Sequence, residues 1–149
     1  MNTIKIPEWD DSLLTGEDMI DEQHKSIFRL AEEAIVICSS CSIKDWNSVS
    51  PVEIANEDIL INSIYALGDY IVGHFYEEEL LMEESSYPKY EEHKEAHMIL
   101  SEKVVGYMTK MMMGGEISPD KFSLFIVEWL QQHILHKDKE FISFYKDNS

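Results

Sequence analysis

Five of the six histidines in this 149-residue chain stand among apolar residues at helical spacing. His24 lies between Ile20 and Ile27, His74 follows Ile71, and His133 follows Trp129. His74 and Glu78 are four residues apart, as are His93 and His97. On a helix that step stacks two side chains on one face, so both reach one ion. A single imidazole on an apolar face is ordinarily a core residue bonded to a carbonyl. Five at one level bring buried nitrogens that each need a partner, and a metal satisfies all of them together. Structural zinc takes four ligands and prefers thiolates, and calcium and magnesium take oxygens. Imidazoles mixed with carboxylates fit iron, copper, nickel or manganese, and this many ligands suit two ions.

The elements that must hold these groups follow from period and punctuation. Residues 19–38 repeat apolar positions at three- and four-residue steps behind an acidic start, Glu17, Asp18, Asp21 and Glu22, which suits a helix N-terminus. A second helix begins at Ser50-Pro51 or at Asn56-Glu57-Asp58 and runs to about Glu83, before Ser85-Ser86-Tyr87-Pro88 breaks it. The third starts near Pro88 and ends before Gly114-Gly115. The fourth opens at Ser118-Pro119-Asp120 and reaches about Tyr145. No window alternates apolar and polar residues as a strand does. The fold class expected is all-α, an antiparallel up-down-up-down four-helix bundle. In it His24 and the His93/His97 pair lie early in helices one and three, and His74 and His133 lie late in helices two and four. All five share one cross-sectional layer.

Twelve Lys+Arg against 29 Asp+Glu give a formal charge of −17, which repels phosphates and anionic lipid. Nucleic acid and membrane surfaces are therefore excluded as partners. The N-terminus carries no apolar signal region, no apolar run approaches a membrane span, and only two cysteines occur, Cys38 and Cys41. The expected compartment is the cytoplasm.

The chain resembles the bacterial hemerythrins. The likeness rests on Ile20-Asp21-Glu22-Gln23-His24-Lys25, on His74-Phe75 with Glu78, Glu79 and Met82, and on Tyr87-Pro88 followed by His93 and His97. It is completed by Trp129-Leu130, His133-Ile134 and Asp138, and by Trp9 with Leu13-Leu14-Thr15-Gly16. The resemblance implies one domain over 1–149, with an N-terminal arm over 1–17 and the bundle over 18–145. It implies a non-haem site of two iron ions joined by an oxo or hydroxo bridge. By that pattern His93, His97 and His133 bind one iron, His24 and His74 bind the other, and Glu78 and Asp138 bridge them. One position is then left open on the iron with two histidines, for O2. Asp138 is known only through the resemblance, because five residues beyond His133 is about 140° around an ordinary helix.

The activity implied is reversible O2 binding, for carriage, storage or delivery, rather than catalysis. One alternative is an O2 or redox sensor with a signalling partner or fused output domain. Another is a di-iron oxidase or an enzyme consuming peroxide or nitric oxide. Only two of the seven ligands are anionic, and neutral imidazoles stabilise high-valent iron poorly, which favours reversible binding. Ile27, Phe28 and Ile71 are expected around the site. His136 reads as exposed or as a partner of the ligands and not as a ligand, and Glu77, Glu79 and Gln23 read as surface groups or as partners of the ligands. Cys38 and Cys41 read as reduced thiols, and Met111 to Met113 as packing at the bundle end. The stretch from Ser39 to Asn56, with Trp46, is longer than bundle connections usually are.

Overall fold

The computed structural model describes residues 7–40, 51–112 and 119–148. Its helices are α1 (Asp18–Ser40), α2 (Pro51–Glu84), α3 (Tyr90–Met112), α4 (Pro119–His133) and α5 (Lys139–Asp147), and a single π-helical turn (Ile134–Asp138) joins the last two. Since α4, that turn and α5 run without a break, the bundle has four rods, as expected. No strand occurs among the described residues. Helix α1 packs against α2 and α4, and α2 packs against α3. No helix of the described residues is long and apolar enough to cross a membrane.

Each terminus has a local cause. Asp18 and Asp21 place negative charge in the first turn of α1. Pro51 opens α2, so the Ser50-Pro51 start holds and the Asn56 start does not. α2 closes with the paired hydrogen bonds of a Schellman turn. Tyr87 N donates to Met82 O at 3.0 Å and Ser86 N to Glu83 O at 3.2 Å, with Ser86 at φ 56° in the left-handed position. The buried Tyr87 then packs near the Met82 side chain it has brought round. Because α1 and α2 extend into the 39–56 stretch, the connection shrinks to residues 41–50. Trp46 and Cys41 lie outside the described residues, as do the side chains of Cys38 and Met111 to Met113.

Buried apolar residues fall into two clusters. The larger holds Ile27, Ala31, Leu67, Ile71, Leu100, Ile126 and Leu130 among others. The smaller holds Ile20, Met82, Tyr87, Phe141 and Ile142. Along every rod that contributes to both, histidines and acids stand between the two, with Phe75 and Ile134 of the larger cluster interleaved among them. His24 separates Ile20 from Ile27, His74 and Glu78 separate Ile71 from Met82, and His133 and Asp138 separate Leu130 from Phe141. The polar layer is therefore closed at both ends by apolar packing.

The described part of the N-terminal arm is fastened to α1 and α5. Buried Asp21 accepts from Thr15 N (2.8 Å), Thr15 Oγ1 (2.7 Å) and Gly16 N (3.1 Å). Lys139 and Lys146 donate to the carbonyls of Ser12 and Gly16. Gly16 has φ +94°, a left-handed conformation that favours glycine, whereas a Cβ there would meet only the flexible end of the Lys146 side chain at 2.7 Å. Trp9 meets Phe28 edge-on at 5.3 Å.

Candidate metal centre

All seven residues named from the sequence converge in the polar layer, each 5% exposed or less. The imidazoles present Nε2 inward. His93 and His97 Nε2 lie 2.9 and 3.0 Å from His133 Nε2, and His24 Nε2 lies 3.1 Å from His74 Nε2. The two carboxylates stand between these groups and divide their oxygens. Glu78 Oε1 is 2.9 Å from His93 and 3.5 Å from His97, whereas Oε2 is 3.4 Å from His74. Asp138 Oδ1 is 3.0 Å from both His93 and His133, whereas Oδ2 is 3.0 Å from His24. Two donor sets result: Glu78, His93, His97, His133 and Asp138, and His24, His74, Glu78 and Asp138.

The arrangement tests whether metal fits. All four carboxylate oxygens are buried without a hydrogen-bond partner, a cost that a native interior ordinarily avoids. Adjacent donors around an octahedral ion with bonds of about 2.1 Å lie about 3.0 Å apart, whereas around a tetrahedral ion they lie about 3.4 Å apart. The 2.9 and 3.0 Å separations from His133 match the octahedron. Glu78 stands wider, at 3.4 Å from His74 and 3.5 Å from His97. Five donors in one set exceed a tetrahedron's four. The residues fit two octahedral ions sharing two carboxylates.

Asp138 reaches His133 because the helix changes pitch between them. In the turn Ile134–Asp138 the backbone bonds i to i+5, which returns residue i+5 over residue i. The separation of about 140° in a regular helix therefore does not hold between His133 and Asp138. Exposed His136, on the same turn, is not part of either donor set.

Contacts behind the donors fix them. Gln23 Oε1 accepts from His74 Nδ1 at 2.6 Å, and Gln23 Nε2 donates to Glu77, which settles the orientation of the amide. The proton is thereby held on His74 Nδ1 and the Nε2 lone pair faces inward. Glu79 Oε2 lies 3.3 Å from His97 Nδ1. Phe75 stacks on His97 with ring centres 3.9 Å apart and planes at 6°, and Trp129 stacks on His133 at 4.4 Å and 15°. Phe75 and Trp129 are among the residues that carry the resemblance, but no role at the ligands was assigned to them; the signal was available in their positions, one residue after His74 and four before His133. Of the apolar residues expected near the site, Ile27 and Ile71 line a narrow void with Phe75, Leu100, Ile126, Trp129 and Leu130. Phe28 is buried against Trp9 instead and does not line that void.

The protons of the metal-free layer follow from burial and proximity. Burial, with His24 beside it, holds His74 well below the ordinary histidine value. Burial, with His133 and His93, draws His97 down to about 2, and burial also lowers His133 against the pull of Asp138. Burial opposes charge on His93 too, but the Asp138 and Glu78 carboxylates, 3.0 and 2.9 Å from its Nε2, outweigh it and raise the ring to about 9. Burial and the Asp138 charge push Glu78 well above its usual value; Asp138, opposed by burial, is carried well below its own by His133, His24 and His93.

These directions give the iron-free protein a signed pH dependence. Below pH 6.5 the unfolded chain protonates the three lowered histidines while the folded chain does not, so their contribution falls as pH drops. Glu78 acts oppositely: its raised value adds stability that is full below 4.5 and lost as pH rises through the folded value. His93 is protonated in both states below 6.5 and adds no slope. Burial raises Glu79 as well, so three lowered histidines against two raised carboxyls leave a net loss on acidification from pH 6.5, at about 1.4 kcal/mol per pH unit for each excess proton. Urea midpoints of the iron-free chain are expected to fall between pH 6.5 and 5.5; a rise would overturn these assignments.

Comparison with known proteins meets this geometry. The model of the hemerythrin HHE cation binding domain matches residues 15–145. The chain is 30% identical over 133 residues to a bacteriohemerythrin of Stenotrophomonas maltophilia, covering 89% of this chain and 77% of that one. It is 28% identical over 138 residues to a bacteriohemerythrin of Clostridium acetobutylicum, covering 90% and 97%. A crystal structure of wild-type hemerythrin superposes with a TM-score of 0.77 at 23% identity, over 95% of this chain and 98% of that one, and shares the fold. With a family match across both donor sets and the helices that carry them, the chain belongs to the hemerythrin HHE cation binding domain family.

Proposed function

We propose that this chain binds O2 reversibly at a di-iron site, with His93, His97 and His133 on one iron, His24 and His74 on the other, and Glu78 and Asp138 bridging. The observation that carries the reading is the division of each carboxylate between two donor sets. The iron pair, when bound, supplies the electrons that reversible O2 binding requires. Every other part is played by the protein. Its two donor sets are unequal, five residues against four, so an exogenous ligand has room on the His24–His74 side.

Gln23 keeps the His74 proton on Nδ1, and Phe75 and Trp129 hold the rings of His97 and His133 by stacking. Ile27, Ile71 and Leu130 exclude water from the approach through the core, because the void they line is too narrow and too apolar to hold one. Two anionic ligands among seven favour binding over oxidation chemistry, and we read the chain as a binding protein, not an enzyme. We also read residues 1–149 as one domain and place it in the cytoplasm.

Anaerobic titration with Fe²⁺ is expected to saturate at two ions per chain. Admission of O2 then produces ligand-to-iron charge-transfer absorption that disappears when O2 is removed. One ion per chain, or absorption that does not reverse, would overturn the proposal.

A further inference from the structure

The groove between α2 and α3 holds about 810 Å³ and reaches the metal centre at one histidine. His97 and Phe75 form part of its wall, beside Val72, Tyr76, Glu79 and Met98. Of the seven metal-centre residues, only His97 lines it. Its ring stacks on Phe75 at 3.9 Å, and its Nδ1 lies 3.3 Å from the carboxylate of Glu79, which is 19% exposed. One hydrogen bond therefore separates the groove from an inner ligand.

The surface of this groove has a definite character. Tyr76 is 65% exposed, Met98 53% and Val72 48%, an apolar strip that the fold leaves in water. Around it stand Glu79, Glu91, Glu92 and Glu95 against Lys94 alone. Glu92 is paired with Lys137, and Lys94 lies over the Tyr90 ring at 5.5 Å. An apolar contact with an acidic rim above a metal ligand suits a small, transient encounter with an electron-transfer partner.

We propose that this groove docks a one-electron donor carrying positive charge around an apolar contact face, and that Glu79 and His97 form the route from it to the metals. The proposal rests on the di-iron reading. A ferrous pair that binds O2 is left as two Fe³⁺ when oxygen departs as peroxide with both electrons, so continued function needs a reductant. Two donor molecules are each oxidised by one electron, two Fe³⁺ become two Fe²⁺, and the proton that converts a bridging oxide to hydroxide comes from solvent. The acidic rim selects the charge of the donor and leaves neutral O2 unaffected.

The test uses the full chain, iron-loaded and oxidised, with hexaammineruthenium(II) as the cationic donor at low ionic strength. Glu91→Lys/Glu95→Lys reverses two exposed rim charges, and Glu32→Lys/Glu33→Lys makes the same change on the exposed face of α1. The rim variant is expected to be reduced about tenfold more slowly, and the α1 variant at nearly the native rate. Slowing of the rim variant no greater than that of the α1 variant would overturn the proposal. A second readout needs no iron: redox-inert, paramagnetic hexaamminechromium(III) is expected to broaden amide resonances around Val72, Tyr76 and Met98 in the iron-free chain. Broadening spread evenly over the acidic surface counts against the groove. Iron content separates the two readings. A chain that does not load two irons overturns the di-iron function; a two-iron chain indifferent to the rim charges overturns the docking site alone.

Discussion

Loading with Fe²⁺ under argon is expected to raise the apparent melting temperature of this chain by about 20–40 °C. Without metal, the centre of the bundle is a layer of five imidazoles and two carboxylates whose four oxygens have no hydrogen-bond partner. That layer separates the two apolar clusters that would otherwise support each other. Ions that bind the folded state and not the unfolded chain add their binding free energy to stability. Even about 10 kcal/mol for the pair gives this shift in a domain of roughly 150 residues, at about 2–4 °C per kcal/mol. Circular-dichroism melts before and after chelation check it. A shift of only a few degrees would mean that the layer is held by something other than metal.

Glu78→Gln is expected to act in opposite directions on the two forms. In the iron-free chain Glu78 is fully buried, and burial with the neighbouring Asp138 charge raises its carboxyl well above the usual range. At neutral pH the unfolded chain ionises this group and the folded one resists, so the native residue costs stability. A neutral amide of the same shape removes that cost, and the iron-free variant is expected to gain on the order of 1–3 kcal/mol. The iron-loaded chain loses instead. An amide supplies no charge and only one good donor oxygen, so it cannot serve both donor sets as Oε1 and Oε2 do. Iron is expected to fall from two ions per chain to one, with loss of the reversible O2 absorption. Denaturant midpoints of the two forms and iron analysis together check the sign reversal. If the iron-free variant is destabilised, the buried carboxyl is not a cost to the fold, and if the variant still holds two irons, the bridging role fails.

The four helices were legible because their signals are local. The acidic start of α1, Pro51, and Pro119 mark where chains of i-to-i+4 bonds begin. The Ser85-Ser86-Tyr87-Pro88 break marks where one ends, although glycine, the usual occupant of its left-handed position, is replaced by Ser86. The histidines and Glu78 were legible for a related reason: spacings of four on amphipathic helices fix a common face. Asp138 was not legible from period. A π turn has no sequence signature comparable to a proline or a cap, and only its altered pitch brings Asp138 into the donor set. Gln23 and Glu79 were equally ambiguous, since a polar residue beside a ligand has a plausible place in water until the partner helix is known.

The sequence by itself determined the class of fold, the level of the bundle at which the chemistry sits and the residue types gathered there. Those follow from helix geometry and the cost of burying polar groups, and neither depends on distant contacts. Tertiary structure alone decided which oxygen of each carboxylate serves which donor set, which ring nitrogen faces inward, and which ligand meets the surface groove. Each of these is a relation between side chains on different rods, set by distances of about 3 Å, and no one-dimensional period carries that information.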